Sequence, residues 1–112
     1  MIMLVEDDLM FSVPIVEMAR QHGHRVVLAN SLDVAYTHLQ APDLSGVVLD
    51  MRLAPAEFIA AIPVHVAVAA FGPHVEGKLF LELRRLGVKE VWPNSKLSDK
   101  LPRWLNGLAP SS

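Results

Sequence analysis

Four carboxylates are the residues of this chain best suited to chemistry. Glu6-Asp7-Asp8 closes the apolar run 1–5, and Asp50 closes Gly46-Val47-Val48-Leu49. If those runs are strands of an open parallel sheet, their carboxyl ends meet in one crevice, where such sheets bind ligands. Carboxylates gathered there repel one another unless a cation sits among them, and a hard, oxygen-seeking ion such as Mg²⁺ suits that donor set. Aspartate also caps helices, and this competing role is open to both Asp8 and Asp50.

The elements that must hold these acids are read from apolar periodicity. Short runs rich in Val, Leu or Ile at 2–6, 24–29, 46–49, 64–70 and Glu90–Pro93 predict strands, and helical patterns lie between them. In the first helix Phe11, Ile15, Met18 and His22 form a stripe that Gly23 ends; because of Pro14, the regular turn is expected to start near Val13 with Ser12 as cap. Ser31 is placed to cap a second helix carrying Leu32, Ala35 and Leu39. A third stripe is Val75, Leu79, Leu83 and Leu86, followed by Gly87. The last segment, 97–108, buries Leu101, Trp104, Leu105 and Leu108, with Ser98 as cap and Pro102 as a kink or delay.

Strands alternating with helices predict a doubly wound parallel sheet with right-handed crossovers. For five strands the expected arrangement is flavodoxin-like, in the order 2-1-3-4-5. Strands 1 and 3 are then neighbours at the switch point, so Glu6, Asp7 and Asp50 share a pocket. The third crossover is short: Ala56–Ala61 makes little more than about a turn and a half of helix, so one sheet face is expected to be thinly covered, its apolar area either filled by longer neighbours or offered to a partner.

Composition narrows the function. The 112 residues suffice for one domain, with none left over for a separate output domain, and 52% hydrophobic content suits a sheet buried on both faces. A net charge of −2 speaks against general attraction to nucleic acid or anionic lipid. Without cysteine there is no thiolate metal site. The N-terminus enters a strand at once, so a cytoplasmic protein is expected, and Pro55, Pro63 and His65 break the apolar stretch 53–72 as a membrane span.

Leu4-Val5-Glu6-Asp7-Asp8, Gly23-His24-Arg25-Val26, Pro42-Asp43-Leu44 and Val47-Val48-Leu49-Asp50-Met51-Arg52-Leu53 together resemble the receiver domain of bacterial two-component response regulators. Gly87-Val88-Lys89-Glu90-Val91 is similar to the approach to that family's fifth strand. The resemblance implies a CheY-like receiver domain over 1–108 with a disordered tail at 109–112. It implies that Asp50 accepts a phosphoryl group from a histidine kinase or phosphotransfer protein. Mg²⁺ would be held by Glu6, Asp7, Asp50 and the backbone carbonyl of Arg52. Such a domain is not an enzyme beyond its own phosphorylation and dephosphorylation. The resemblance also implies a dimerisation and output face on the last helix-strand-helix unit, here carrying Arg84, Arg85, Lys89 and Trp92.

The second half departs from the family. No hydroxyl occurs in Val64-His65-Val66-Ala67-Val68-Ala69-Ala70-Phe71, and Val68 or Ala69 is expected where receivers carry Thr or Ser. Asn94 stands at the position of the family's lysine, with Lys96 displaced by two. The expected function is therefore an atypical receiver in phosphorelay signalling. The alternative is a phosphorylation-independent pseudo-receiver that acts as an interaction module. Gly72-Pro73-His74-Val75-Glu76-Gly77-Lys78 nearly matches a P-loop, but Pro73 removes a donor, Glu76 adds negative charge and Leu79 replaces the metal-binding hydroxyl. The five histidines lie on separate elements and lack metal-ligand spacing; His65 is expected as a hydrogen-bonded strand residue.

Overall fold

The structure, a computed structural model, describes residues 1–73 and 77–110. Five strands run in chain order as β1 (Ile2–Val5), β2 (Val26–Ala29), β3 (Gly46–Asp50), β4 (Ala67–Gly72) and β5 (Glu90–Pro93). They form one sheet in the order β2-β1-β3-β4-β5, and every pairing is parallel. The helices are α1 (Leu9–Gln21), α2 (Leu32–His38), α3 (Ala56–Ala61), α4 (Gly77–Arg85) and α5 (Leu97–Asn106), with 3₁₀ turns at Met51–Leu53 and Asn94–Lys96. This is the flavodoxin-like arrangement expected from the alternating pattern.

Side chains on a strand alternate between faces, and here each face has its own core. Met3, Val5, Val47 and Leu49 pack on one side with Ala35, Phe58 and Leu83 from α2, α3 and α4. Ile2, Leu4, Val48 and Phe71 pack on the other with Ile15 from α1 and Leu101 and Leu105 from α5. All four residues of β1 and all five of β3 are buried, as central strands covered on both sides require.

α1 begins four residues before its expected start, because Asp8 caps it: the Asp8 carboxylate accepts from the Met10 N–H at 2.9 Å. Ser12 is buried inside the helix, and Pro14 is accommodated on the solvent side, near Met10, which is 83% exposed. Ser31 caps α2 by accepting from the Val34 N–H. Ser98 caps nothing; α5 grows directly out of the preceding 3₁₀ turn, with Pro102 inside it. Gly23 and Gly87, at φ of +86° and +95°, take the left-handed conformation that follows a helix end.

β4 starts at Ala67, three residues later than the apolar run suggests. The Val66 N–H turns back to the Pro63 carbonyl, and pairing with the sheet begins only at Ala67 N–H, which donates to Ser45. Val64 and His65 are therefore exposed, and His65 is not the hydrogen-bonded strand residue expected. α3 is as short as expected, yet Phe58, Ile59 and Ile62 are all buried, and the ring of Phe58 meets Tyr36 edge-on at 5.1 Å. A cleft of about 330 Å³ remains beside them, lined by Ile62, Val66 and Leu86 among others. His74, Val75 and Glu76, from the P-loop-like stretch, and the last two residues of the tail lie outside the described residues.

Candidate functional site

Register brings the acids together. β1 and β3 pair directly, with Val5 opposite Leu49, so Glu6 and Asp50 both follow that last rung. Glu6 is held there by its backbone N–H, which donates to the Ala29 carbonyl of β2 at 3.1 Å. Both acids are buried, Glu6 to 1% exposure and Asp50 to 2%.

Glu6 Oε1 accepts from the backbone N–H groups of Asp7 at 3.2 Å and Asp8 at 3.1 Å. Its Oε2 is buried, and no donor among the described residues faces it. Burial pushes the Glu6 carboxyl up to about 7, and hydrogen bonding to Asp50 and the charge of Asp50 push the same way against the backbone donors. The raised value favours the protonated form of Glu6 beside Asp50.

Asp50 goes in the opposite direction. Burial alone would raise its carboxyl, but the Arg52 side chain and backbone N–H, with Glu6, hold it below the usual carboxylate value. The Arg52 N–H donates to Asp50 Oδ1 at 2.9 Å, and Arg52 Nε lies 3.1 Å from both Asp50 oxygens. Arg52 Nη2 closes the pair on Asp50 Oδ2 and lies 3.9 Å from Glu6 Oε1. The two adjacent carboxyl groups are thus pushed apart in acidity, Glu6 upward and Asp50 downward.

Asp7 is exposed and stays outside this buried pair, although its charge acts on Arg52. Among the described residues no three acids or histidines are grouped so as to hold a metal. The donor chemistry fits a hard cation once Glu6 gives up its proton: two buried carboxyl groups, one with an oxygen that lacks a donor among the described residues. Asp8, the fourth carboxylate, is spent on the α1 cap.

The residues beside the end of β3 are Ala70, opposite Leu49, and Phe71, opposite Asp50. Val68 and Ala69 lie further back on the strand, opposite Val47 and Val48, and none of these four β4 residues carries a hydroxyl. Asn94 opens the 3₁₀ turn after β5 and lines a cleft of about 170 Å³ between α1 and α5; its buried Oδ1 has no partner among the described residues. Met51 lies across Gly72, where a Cβ would come within 2.3 Å of Met51 Cγ. This contact joins the turn after Asp50 to the end of β4.

Arg84, Arg85 and Lys89 are exposed as expected. Trp92 is not on that surface: it is 3% exposed, donates from Nε1 to Glu90 Oε2 at 3.0 Å, and meets Trp104 edge-on at 6.2 Å. The side chain of Arg52 is the site residue that sequence reading missed, since only its carbonyl was considered. A basic residue two places after the acid was the available signal.

No protein-family model matches the chain, and no curated protein matches it. The solved structures do. The non-phosphorylated receiver domain of HemR from Leptospira biflexa superposes with a TM-score of 0.77 at 23% identity, covering 99% of this chain and 97% of its own. A response regulator receiver domain protein from Clostridium thermocellum gives 0.81 at 17% identity, covering 95% and 90%. A response regulator from Thermotoga maritima gives 0.78 at 16% identity, covering 95% and 96%. The chain thus has the flavodoxin-like fold, and within it the particular form seen in response-regulator receiver domains. No helix among the described residues is long and apolar enough to cross a membrane.

Proposed function

We propose that this chain is an atypical receiver domain in phosphorelay signalling, with Asp50 as phosphoacceptor. The observation that carries the reading is the burial of Glu6 and Asp50 side by side at the carboxyl ends of the neighbouring strands β1 and β3, at the topological switch point. An Oδ of Asp50 attacks the phosphorus of a phosphohistidine on a kinase or phosphotransfer protein. The new P–O bond makes an acyl phosphate as the P–N bond breaks and the imidazole leaves. Mg²⁺, held by Glu6, Asp50 and the Arg52 carbonyl with Asp7 at the rim, would neutralise charge on the transferring group.

Ala70 and Phe71 offer no hydroxyl, and Asn94 no cation, to a phosphorylated Asp50. A ligand shifts a conformational equilibrium only through contacts that differ between the states, so phosphorylation is expected to couple weakly to the β4–α4 side. The same observation favours, as a second reading, a phosphorylation-independent interaction module. In either case Arg84, Arg85 and Lys89 are the basic residues offered to a protein partner or a second copy.

The test is incubation with acetyl phosphate, with and without Mg²⁺, followed by intact mass of wild type and Asp50→Asn. A Mg²⁺-dependent gain of one phosphoryl group, absent in the variant, supports the phosphoacceptor. No gain under conditions that label an ordinary receiver refutes it and leaves the interaction module.

A further inference from the structure

The Arg52 side chain is the feature of the pocket that the phosphoacceptor role does not use. Its fork lies on both oxygens of Asp50 and within 3.9 Å of Glu6, while half of the side chain remains exposed to solvent. A divalent ion held by the same two carboxyl groups would meet that charge, and one positive charge repels another. The arginine is tethered two residues from the acid, so its local concentration is high and independent of the solution. With its head partly in water, it can swing outward without disturbing the core.

We propose that Arg52 is a built-in counter-ion that closes the pocket in the absence of metal, and that Mg²⁺ and the Arg52 guanidinium occupy it in turn. The inference rests on reading Asp50 and Glu6 as the divalent site. It adds that metal entry requires the Arg52–Asp50 pair to open, so the apparent metal affinity is reduced by the closed population. In the closed state the fork covers both candidate nucleophilic oxygens, so the pocket is competent only once Arg52 has left.

MgCl₂ titration at fixed ionic strength, followed by amide spectra of wild type and Arg52→Gln, tests this. The amides of Asp7, Met51 and Arg52 report metal entry, and the Arg52 Nε–H reports the guanidinium in wild type. The expected result is a Kd for Arg52→Gln about tenfold or more below that of wild type, as removal of an adjacent like charge implies. The Nε–H signal of wild type should shift with the same midpoint as the amides. Equal Kd values, or an Nε–H that does not move while the amides do, would overturn the inference and leave the acidic site standing. No Mg²⁺-dependent shift in either protein would overturn the divalent site itself, and the inference with it. The Nε–H readout needs no variant, so the test survives a folding defect in Arg52→Gln.

Discussion

Replacing Glu6 with glutamine changes how stability depends on pH, with a sign and size fixed by the pocket. Burial, with the neighbouring Asp50, raises the folded-state carboxyl from 4.5 to about 7. At 1.36 kcal/mol per unit this corresponds to about 3 kcal/mol. Because the folded value lies above the unfolded one, the folded state holds a proton that the unfolded state has lost between those limits. The contribution is fully present below pH 4.5 and is lost as pH rises through about 7, where ionised Glu6 faces ionised Asp50. Asp50 does not mask the effect: its folded value is depressed, so its contribution is present above the unfolded value and is lost only in stronger acid.

Glutamine keeps the shape and cannot ionise, so Glu6→Gln should gain about 3 kcal/mol on wild type between pH 4 and 8. Urea unfolding of both proteins across that range, at constant salt and without divalent ions, measures the difference. Taking the difference cancels the five histidines, which both proteins carry. A stability gap that stays constant with pH, or moves the other way, would refute the assignment of Glu6 as the proton holder.

Two further substitutions test how the site is held. Asp8→Ala removes the carboxylate that accepts from Met10 N–H and should cost about 1 kcal/mol of stability, measured by the same unfolding assay; no loss would mean that the cap contributes nothing. Gly72→Ala forces a Cβ into the buried Met51 side chain and should cost about 1–3 kcal/mol. It should also shift the amides of the turn Met51–Leu53; an unchanged spectrum would argue against the Met51–Gly72 contact.

Sheet order and acid placement were legible because both follow from strong local patterns: short apolar runs alternating with helical stripes, two of the runs, 1–5 and 46–49, followed at once by an acid. Gly23 and Gly87 were equally plain, since a left-handed residue after a helix has few alternatives to glycine. The start of α1 was misread because Pro14 suggested a boundary, whereas a capping Asp8 and solvent around the proline side make the longer helix affordable. The start of β4 was hidden because Val64 and Val66 have strand-like side chains, while the turn closed by Pro63 and Val66 is set by the backbone.

Trp92 illustrates a different limit. Composition cannot distinguish a tryptophan packed on Trp104 from one offered to a partner; only the sheet face on which it falls decides. The Arg52–Asp50 pair was likewise hidden, because whether an arginine folds back depends on the 3₁₀ turn between the two residues. The separation of Glu6 from Asp7 was also invisible in sequence: neighbours on the chain part company at the strand end, one buried and one exposed.

The most direct test of Asp50 as a buried, ionised phosphoacceptor is phosphorus NMR of the protein with a small phosphodonor and Mg²⁺, wild type beside Asp50→Asn. The account predicts a protein-bound acyl-phosphate resonance in wild type that is absent in the variant. A resonance that persists in Asp50→Asn, or none in wild type while the donor remains intact, would contradict it.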